Sequence, residues 1–497
     1  MNHDDHAPDA LHEGTSKRLH NEDLAPAVER HWRFWDLFCL WMSATHSLGG
    51  FATAASLFVL GLNGWQVFLA LLLGNMIVYA GFTLTGVAGQ RTGVPFAVFS
   101  RLSLGVFGGR VAALLRAMLA VFWYGIQTYL ASAAIAVIIL KLVPAAGGWE
   151  HVSLLGLSPV GLFAFLFMWS VQLFVLRRGM ETVRKFIDFC GPMIWVALLS
   201  LAVWIVVEAH GKVSLTLASA PKPLGGSSWF AFVSATLLVV GYSAVPITNF
   251  ADFSRFMPNT ATIVKGNFVA APLNQIAFAL VSVITITGTV TVFGAAVTNP
   301  IEIVQHFSNP LLLVCTVAIF AVATMGINVV ANFVSPAYDF SSLAPSRISF
   351  RTGGVITALL ALLVMPWKIF GNAHAVNIFN GFQGAVAGPL LGILLVDYYV
   401  CRRGFAVVDD LFREDKQGLY FYHGGVHWAG IATLTVSTVL LLPLTLVPGL
   451  SLAAPFAWPI GLVLGGGGYY LATRSHFAAH RAVAERAAAV HTEGEPA

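Results

Sequence analysis

The feature that most constrains this chain is a succession of about twelve apolar blocks, each long enough to cross a hydrocarbon layer of about 30 Å as a helix of about 20 residues. They run over approximately 34-60, 65-89, 110-140, 157-177, 184-208, 229-250, 266-296, 309-334, 352-370, 374-398, 427-449 and 454-473. A water-soluble fold cannot bury that much apolar surface. Hydrophobic residues make up 57% of the chain and charged residues only 10%, against about 25% charged in soluble domains. The expected fold is therefore an all-α integral membrane protein.

The basic residues test this layout, because cytoplasmic loops collect Lys and Arg. With the amino terminus inside, 23 of the 27 fall on the inner side, and only Lys141, Lys212, Lys222 and Lys368 fall outside. This predicts a multi-pass protein of the plasma (inner) membrane. A tail over 1-33, a transporter domain over 34-473 and a tail over 474-497 are expected, both tails being cytoplasmic. The net charge of +4 is then a topology signal and not a nucleic-acid surface. No apolar stretch precedes Phe34, so no cleavable leader is expected. Cys39, Cys190, Cys315 and Cys401 stand singly and read as small apolar residues.

Two blocks are interrupted. The first has Ser43, Thr45, Ser47, Gly49 and Gly50 in its middle, and the sixth has Gly241, Ser243 and Pro246. Broken helices five spans apart are the pattern of an inverted repeat whose site lies near the bilayer midplane; the alternative is packing glycines and a tolerated proline kink. The third and eighth blocks form a second pair. Trp123 and Gln127 share one helix face, as do Asn328 and Asn332. An indole beside carboxamides suits a flat ring bearing N–H and C=O groups, although each amide alone could equally join helices. Asp188, Glu208, Asp252 and Asp397 lie near predicted span ends, which leaves no charge in mid-span and favours a neutral solute. No carboxylate pair, H-E-x-x-H or nucleophile elbow occurs at mid-span, so an enzyme is not expected. A carrier remains, with a channel or an uncoupled facilitative carrier as the alternative.

The chain also resembles the nucleobase:cation symporter family, which includes cytosine and allantoin permeases and a hydantoin transporter. The motifs are NEDLAP, GxPF, WYGIQT, NFADFSRF and NFVSPAYDF, spread over roughly residues 19-425. His46 and GMETVRKF lean toward the allantoin permeases. The resemblance implies about twelve helices of the LeuT type: two inverted five-helix repeats, about 34-208 and 229-398, and two extra helices over 427-473. It also implies alternating-access import of a neutral nucleobase or related N-heterocycle such as allantoin, hydantoin, uracil or cytosine. No cofactor, no nucleic-acid partner and a monomer are expected.

Carried over by position, the resemblance makes Trp123 the stacking indole, with Gln127 and Asn332 as ring-binding amides and Ser47 facing the substrate. Where the family has a second tryptophan this chain has Ser243, preceded by Tyr242, which could serve as the second plate. The family's sodium positions fall on the carbonyls of Ser43, His46 and Ala323 and on the side chains of Gly326 and Ile327. Two expected hydroxyls are thus missing, unless Ser43, Thr324 or water substitutes, and a hard cation wants oxygen throughout. The coupling ion is left as H+ or Na+, with His46 as a candidate proton carrier or a structural hydrogen-bonder.

Overall fold

The computed structural model describes residues 14–46, 48–214, 222–297, 299–370 and 373–475. Among these, nine helices are long and apolar enough to cross a membrane by themselves. Three further crossings use shorter pieces. α1 (Phe34–Thr45) is continued by α2 (Leu48–Phe58), α7 (Ser228–Tyr242) by α8 (Ala244–Thr248), and α12 (Phe350–Leu363) completes the set of twelve. The remaining helices are α3 (Gly64–Thr92), α4 (Gly109–Leu142), α5 (Pro159–Arg177), α6 (Met180–Glu208), α9 (Thr260–Phe293), α10 (Pro310–Asn328), α11 (Ser335–Leu343), α13 (Ala373–Leu395), α14 (Trp428–Leu446) and α15 (Ala457–Thr473).

Both expected interruptions are real breaks. At His46 the backbone leaves the helix with φ −92° and ψ 96°. At Ser243 it turns with φ −95° and ψ 1°. Pro246 accounts for the second break, since it has no N–H to give the carbonyl four residues earlier, that of Tyr242. Elsewhere local chemistry sets the ends: Asn63 accepts from the Gln66 amide at 2.9 Å while Gln66 accepts from the Asn63 N–H at 3.0 Å, a capping box that starts α3.

The broken helices lie inside the bundle. α1 packs on α6 and α9, α7 packs on α3, and α4 packs on α10 and α11, while α15 lies along α13 at one side. A π-helical turn over Val329–Val334 links α10 to α11. Such turns carry one residue beyond the ordinary helical count and rotate the following face, and this one contains Asn332. The segment before α1 is also folded: Leu19 and Leu24 are fully buried, and Asn21 Nδ2 donates to Ser341 Oγ at 2.9 Å.

Buried charges do occur near helix ends: Arg116, on α4, is 2% exposed and Asp339, on α11, is 1% exposed, each about two turns or less from the end of its helix. Cys39, Cys190 and Cys401 are buried and Cys315 is exposed.

Candidate functional site

A cleft of about 1020 Å³, open mouth included, lies between the two broken helices, α4, α9 and the π-helical turn. Its walls include Trp123, Gln127, Tyr242, Ser243 and Asn332, which the chain brings together from three distant stretches. Ser47 lies outside the described residues. None of the lining side chains is charged.

The indole of Trp123 presents a half-buried face to the cleft, and its Nε1 donates to Gln383 Oε1 of α13. Gln383 in turn donates from Nε2 to the Gly241 carbonyl at 2.7 Å. One amide thus ties α4 to the carbonyl freed near the second break. Tyr242 meets the indole edge-on, with ring centroids 5.5 Å apart and planes at 82°. In this arrangement Tyr242 is not a parallel second plate; its hydroxyl instead accepts from Gln127 Nε2 at 3.2 Å. The other amide atom, Gln127 Oε1, is buried and receives no hydrogen bond from the described residues. Glycine at position 49 permits this packing, since a Cβ there would lie 2.8 Å from Gln127 Nε2 and 2.9 Å from the Tyr242 hydroxyl.

The two asparagines divide. Asn332 lines the cleft, with Nδ2 donating to Asn328 Oδ1 at 3.1 Å. Asn328 is fully buried, and its Nδ2 reaches the Tyr124 carbonyl (3.0 Å), Thr128 Oγ1 (3.0 Å) and Gln172 Oε1 (2.8 Å). It is a joint between α4, α5 and α10, and it holds Asn332 in place. Sequence reasoning missed Gln275 of α9, which lines the cleft and whose Nε2 has no acceptor in the protein. A glutamine in an apolar helix was a visible signal, but nothing local told which way it faced.

The candidate cation positions meet, and Gly326 and Ile327 bring no side-chain oxygen to them. A Cβ on Gly326 would lie 3.8 Å from Ser43 Oγ and only 2.7 Å from the Cβ of Cys190. The space a hydroxyl side chain would use is therefore filled by α6. Ser43 Oγ and Thr324 Oγ1 are both buried without a partner, while Ile327 contributes only hydrocarbon to the cleft wall and Ala323 is buried. His46 is turned from the cleft: Nδ1 lies 3.0 Å from the Met42 carbonyl and the ring packs on Trp195 and Phe278. Its imidazole is paired with the helix backbone and is not among the side chains that line the cleft.

A polar but uncharged cleft at two helix breaks is a carrier's architecture. Residues 25–461 match the family of permeases for cytosine/purines, uracil, thiamine and allantoin. The chain belongs to this family. The permease is 32% identical over 467 residues to the allantoin permease of Bacillus subtilis (strain 168), covering 93% of this chain and 94% of that one. It is 27% identical over 462 residues to a putative allantoin permease of Escherichia coli (strain K12), covering 92% and 95%. Among solved structures it superposes on Mhp1, a nucleobase-cation-symport-1 family transporter, in a closed conformation with bromovinylhydantoin bound. That match has a TM-score of 0.73 at 24% identity and covers 92% of this chain and 95% of Mhp1. The fold is thus the LeuT-type membrane bundle, and the permease is a transporter, not an enzyme.

Proposed function

We propose that this permease imports a neutral cyclic ureide of the allantoin or hydantoin kind by alternating access, from a cleft formed by Trp123, Gln127, Asn332 and Gln275. The observation that carries the reading is that two residues of the cleft wall keep a buried amide atom without a partner among the described residues, the acceptor Gln127 Oε1 and the donor Gln275 Nε2. A ring bearing N–H and C=O groups offers a partner to each kind of atom, and an unpaired buried polar group costs about 1–3 kcal/mol. Stacking on Trp123 adds the apolar part of the binding energy. The absence of charged lining groups favours a neutral solute. The names of the two allantoin-permease relatives and the hydantoin bound to Mhp1 support the same class. In this reading both termini are cytoplasmic, on the ground of the 23-to-4 distribution of basic residues, and coupling is to protons, since Gly326 and Ile327 bring no hydroxyl to the sodium positions. A thermal-shift panel on the purified protein tests the substrate class, because a ligand that binds only the folded state raises its stability. Allantoin and hydantoins should stabilise it more than cytosine or purines; stabilisation by a nucleobase and by no ureide would overturn the assignment.

A further inference from the structure

Beneath the cleft, on the side where the amino-terminal segment docks, lies a cluster of ionisable groups that substrate binding does not use. Arg116 donates from Nη2 to Asn249 Oδ1 at 3.0 Å and to the Ala331 carbonyl at 2.7 Å. Both acceptors belong to residues of the cleft wall. The other edge of the same guanidinium faces Asp339: Nε stands 3.9 Å from Oδ2, the two side chains being 1% and 0% exposed. That separation is too long for a hydrogen bond, and among the described residues neither oxygen of Asp339 receives one, nor do Nε and Nη1 of Arg116 find an acceptor.

The neighbouring carboxylate is treated differently. Asp252 is fully buried and accepts the Phe96 N–H at 2.8 Å. A more distant contact of 3.5 Å joins its Oδ2 to Asn249 Nδ2, which also donates to Ser335 Oγ. Behind them Arg255 donates to the Tyr338 hydroxyl at 2.9 Å and to the Ala25 and Asp23 carbonyls, and the Asp23 carboxylate accepts the Phe350 N–H at 2.7 Å. Of the other elements against α11, α12 brings only the exposed Arg351, and the short helix Phe96–Phe99 brings no titratable side chain. The buried set is two carboxylates (Asp252, Asp339) and two guanidiniums (Arg116, Arg255), with Asp23 half-buried at its outer edge. A buried carboxylate that no hydrogen bond holds is costly in its charged form, and one bound proton removes that cost. Asp252 and Asp23 each accept a backbone N–H, which favours their charged forms, whereas Asp339 accepts nothing.

We propose that Asp339 is the proton-binding site of the transport cycle, coupled to the cleft through Arg116. With Asp339 ionised, Arg116 is pulled between it and the cleft wall. A proton taken up by Asp339 from one side of the membrane ends that pull and leaves Arg116 to Ala331 and Asn249, ordering the wall next to Asn332. Proton and substrate then strengthen each other's binding by the same factor, and release of both on the other side completes the cycle. Among the described residues Asp339 has the chemistry that the sodium positions of this chain lack.

The inference rests on the ureide reading, so the test separates the two. The full chain is reconstituted in sodium-free liposomes and given radiolabelled allantoin. Exchange without a gradient reports the substrate. Accumulation under an inside-alkaline gradient, together with allantoin-driven proton entry read by a trapped pH dye, reports coupling. With one proton per substrate, a gradient of about one pH unit supports about tenfold accumulation in the wild type. Asp339→Asn is expected to exchange allantoin but to equilibrate it without accumulation or proton entry, and Asp339→Glu to keep proton entry. Proton-driven accumulation by Asp339→Asn would overturn the proposal. Should that variant not fold, allantoin exchange without proton entry in the wild type would overturn it equally. If the wild type fails to exchange allantoin, the ureide reading falls. Stability then decides on Asp339: a proton held only in the folded state gives the wild type added stability toward low pH that Asp339→Asn lacks, and identical pH profiles would overturn the site.

Discussion

Replacing Gln127 by leucine should separate stability from binding, and the structure gives the sign of each. In the protein, Gln127 makes one hydrogen bond, Nε2 to the Tyr242 hydroxyl at 3.2 Å, and buries Oε1 unpaired. Losing the bond costs about 1 kcal/mol, and removing an unpaired buried oxygen returns about 1–3 kcal/mol. The substrate-free protein is therefore expected to be as stable as the wild type or slightly more so. Binding moves the other way: a ureide N–H left without its acceptor costs about 1–3 kcal/mol, a loss of about 5- to 150-fold in affinity. Asn328→Leu is the contrasting variant. Its amide joins Tyr124, Thr128 and Gln172 within 2.8–3.0 Å, so that change should lower stability by about 2 kcal/mol or more, chiefly by stranding buried acceptors. The assay pairs the unfolding midpoint of the substrate-free protein with radiolabelled allantoin binding for both variants. If Gln127→Leu unfolds as early as Asn328→Leu and binds allantoin normally, Gln127 joins helices and the site assignment is wrong.

Trp123→Ala should weaken binding by about 1–3 kcal/mol through loss of the stacking face, while correct insertion is checked by protease accessibility of the loops; an unchanged affinity removes Trp123 from the site. Sodium should leave the wild-type substrate affinity unaltered when compared with choline at fixed pH, and a several-fold sodium effect would refute the account of Gly326 and Ile327. Gly326→Ser with Ile327→Thr should remain sodium-independent, because the new Cβ meets that of Cys190 at 2.7 Å; only with Cys190→Gly added is sodium dependence expected. His20 packs edge-on against Phe412 with centroids 5.2 Å apart, and burial, followed by the Arg101 guanidinium, holds its pKa below 6.5. The unfolded chain then binds the proton more readily, so His20 contributes stability above pH 6.5 that is lost as the pH falls toward its lower folded value. His20→Gln should flatten that part of the stability profile, and an unchanged slope would assign the pH dependence elsewhere.

The placement of the candidate residues was legible in the sequence where one helix carries the whole pattern and not where two helices must meet. Trp123 and Gln127 are four residues apart on α4, so their common face follows from helical periodicity alone. Asn328 and Asn332 have the same spacing, yet one is a joint and the other lines the cleft. The π-helical turn that begins at Val329 places Asn332 at the cleft while its Nδ2 still reaches Asn328 Oδ1, and no local propensity announces such a turn. Tyr242 was placed beside the indole correctly, but its edge-on approach depends on the hydroxyl finding Gln127.

What the amino-acid order determined by itself is the membrane class, the number and approximate extent of the spans, and the two breaks. Each follows from short-range rules: apolar length against bilayer thickness, proline without an N–H, and small polar residues where backbone groups are freed. Only the tertiary structure decided which polar groups are spent on the protein and which are left for a ligand. Gln275 and Gln127 keep an unused amide atom, Gln383 and Asn328 do not, and Asp339 faces a guanidinium more than 220 residues away in the chain. Hydrogen-bond satisfaction is a property of neighbours brought together by packing, and in a bundle whose helices pair across half its length those neighbours are invisible to any local window.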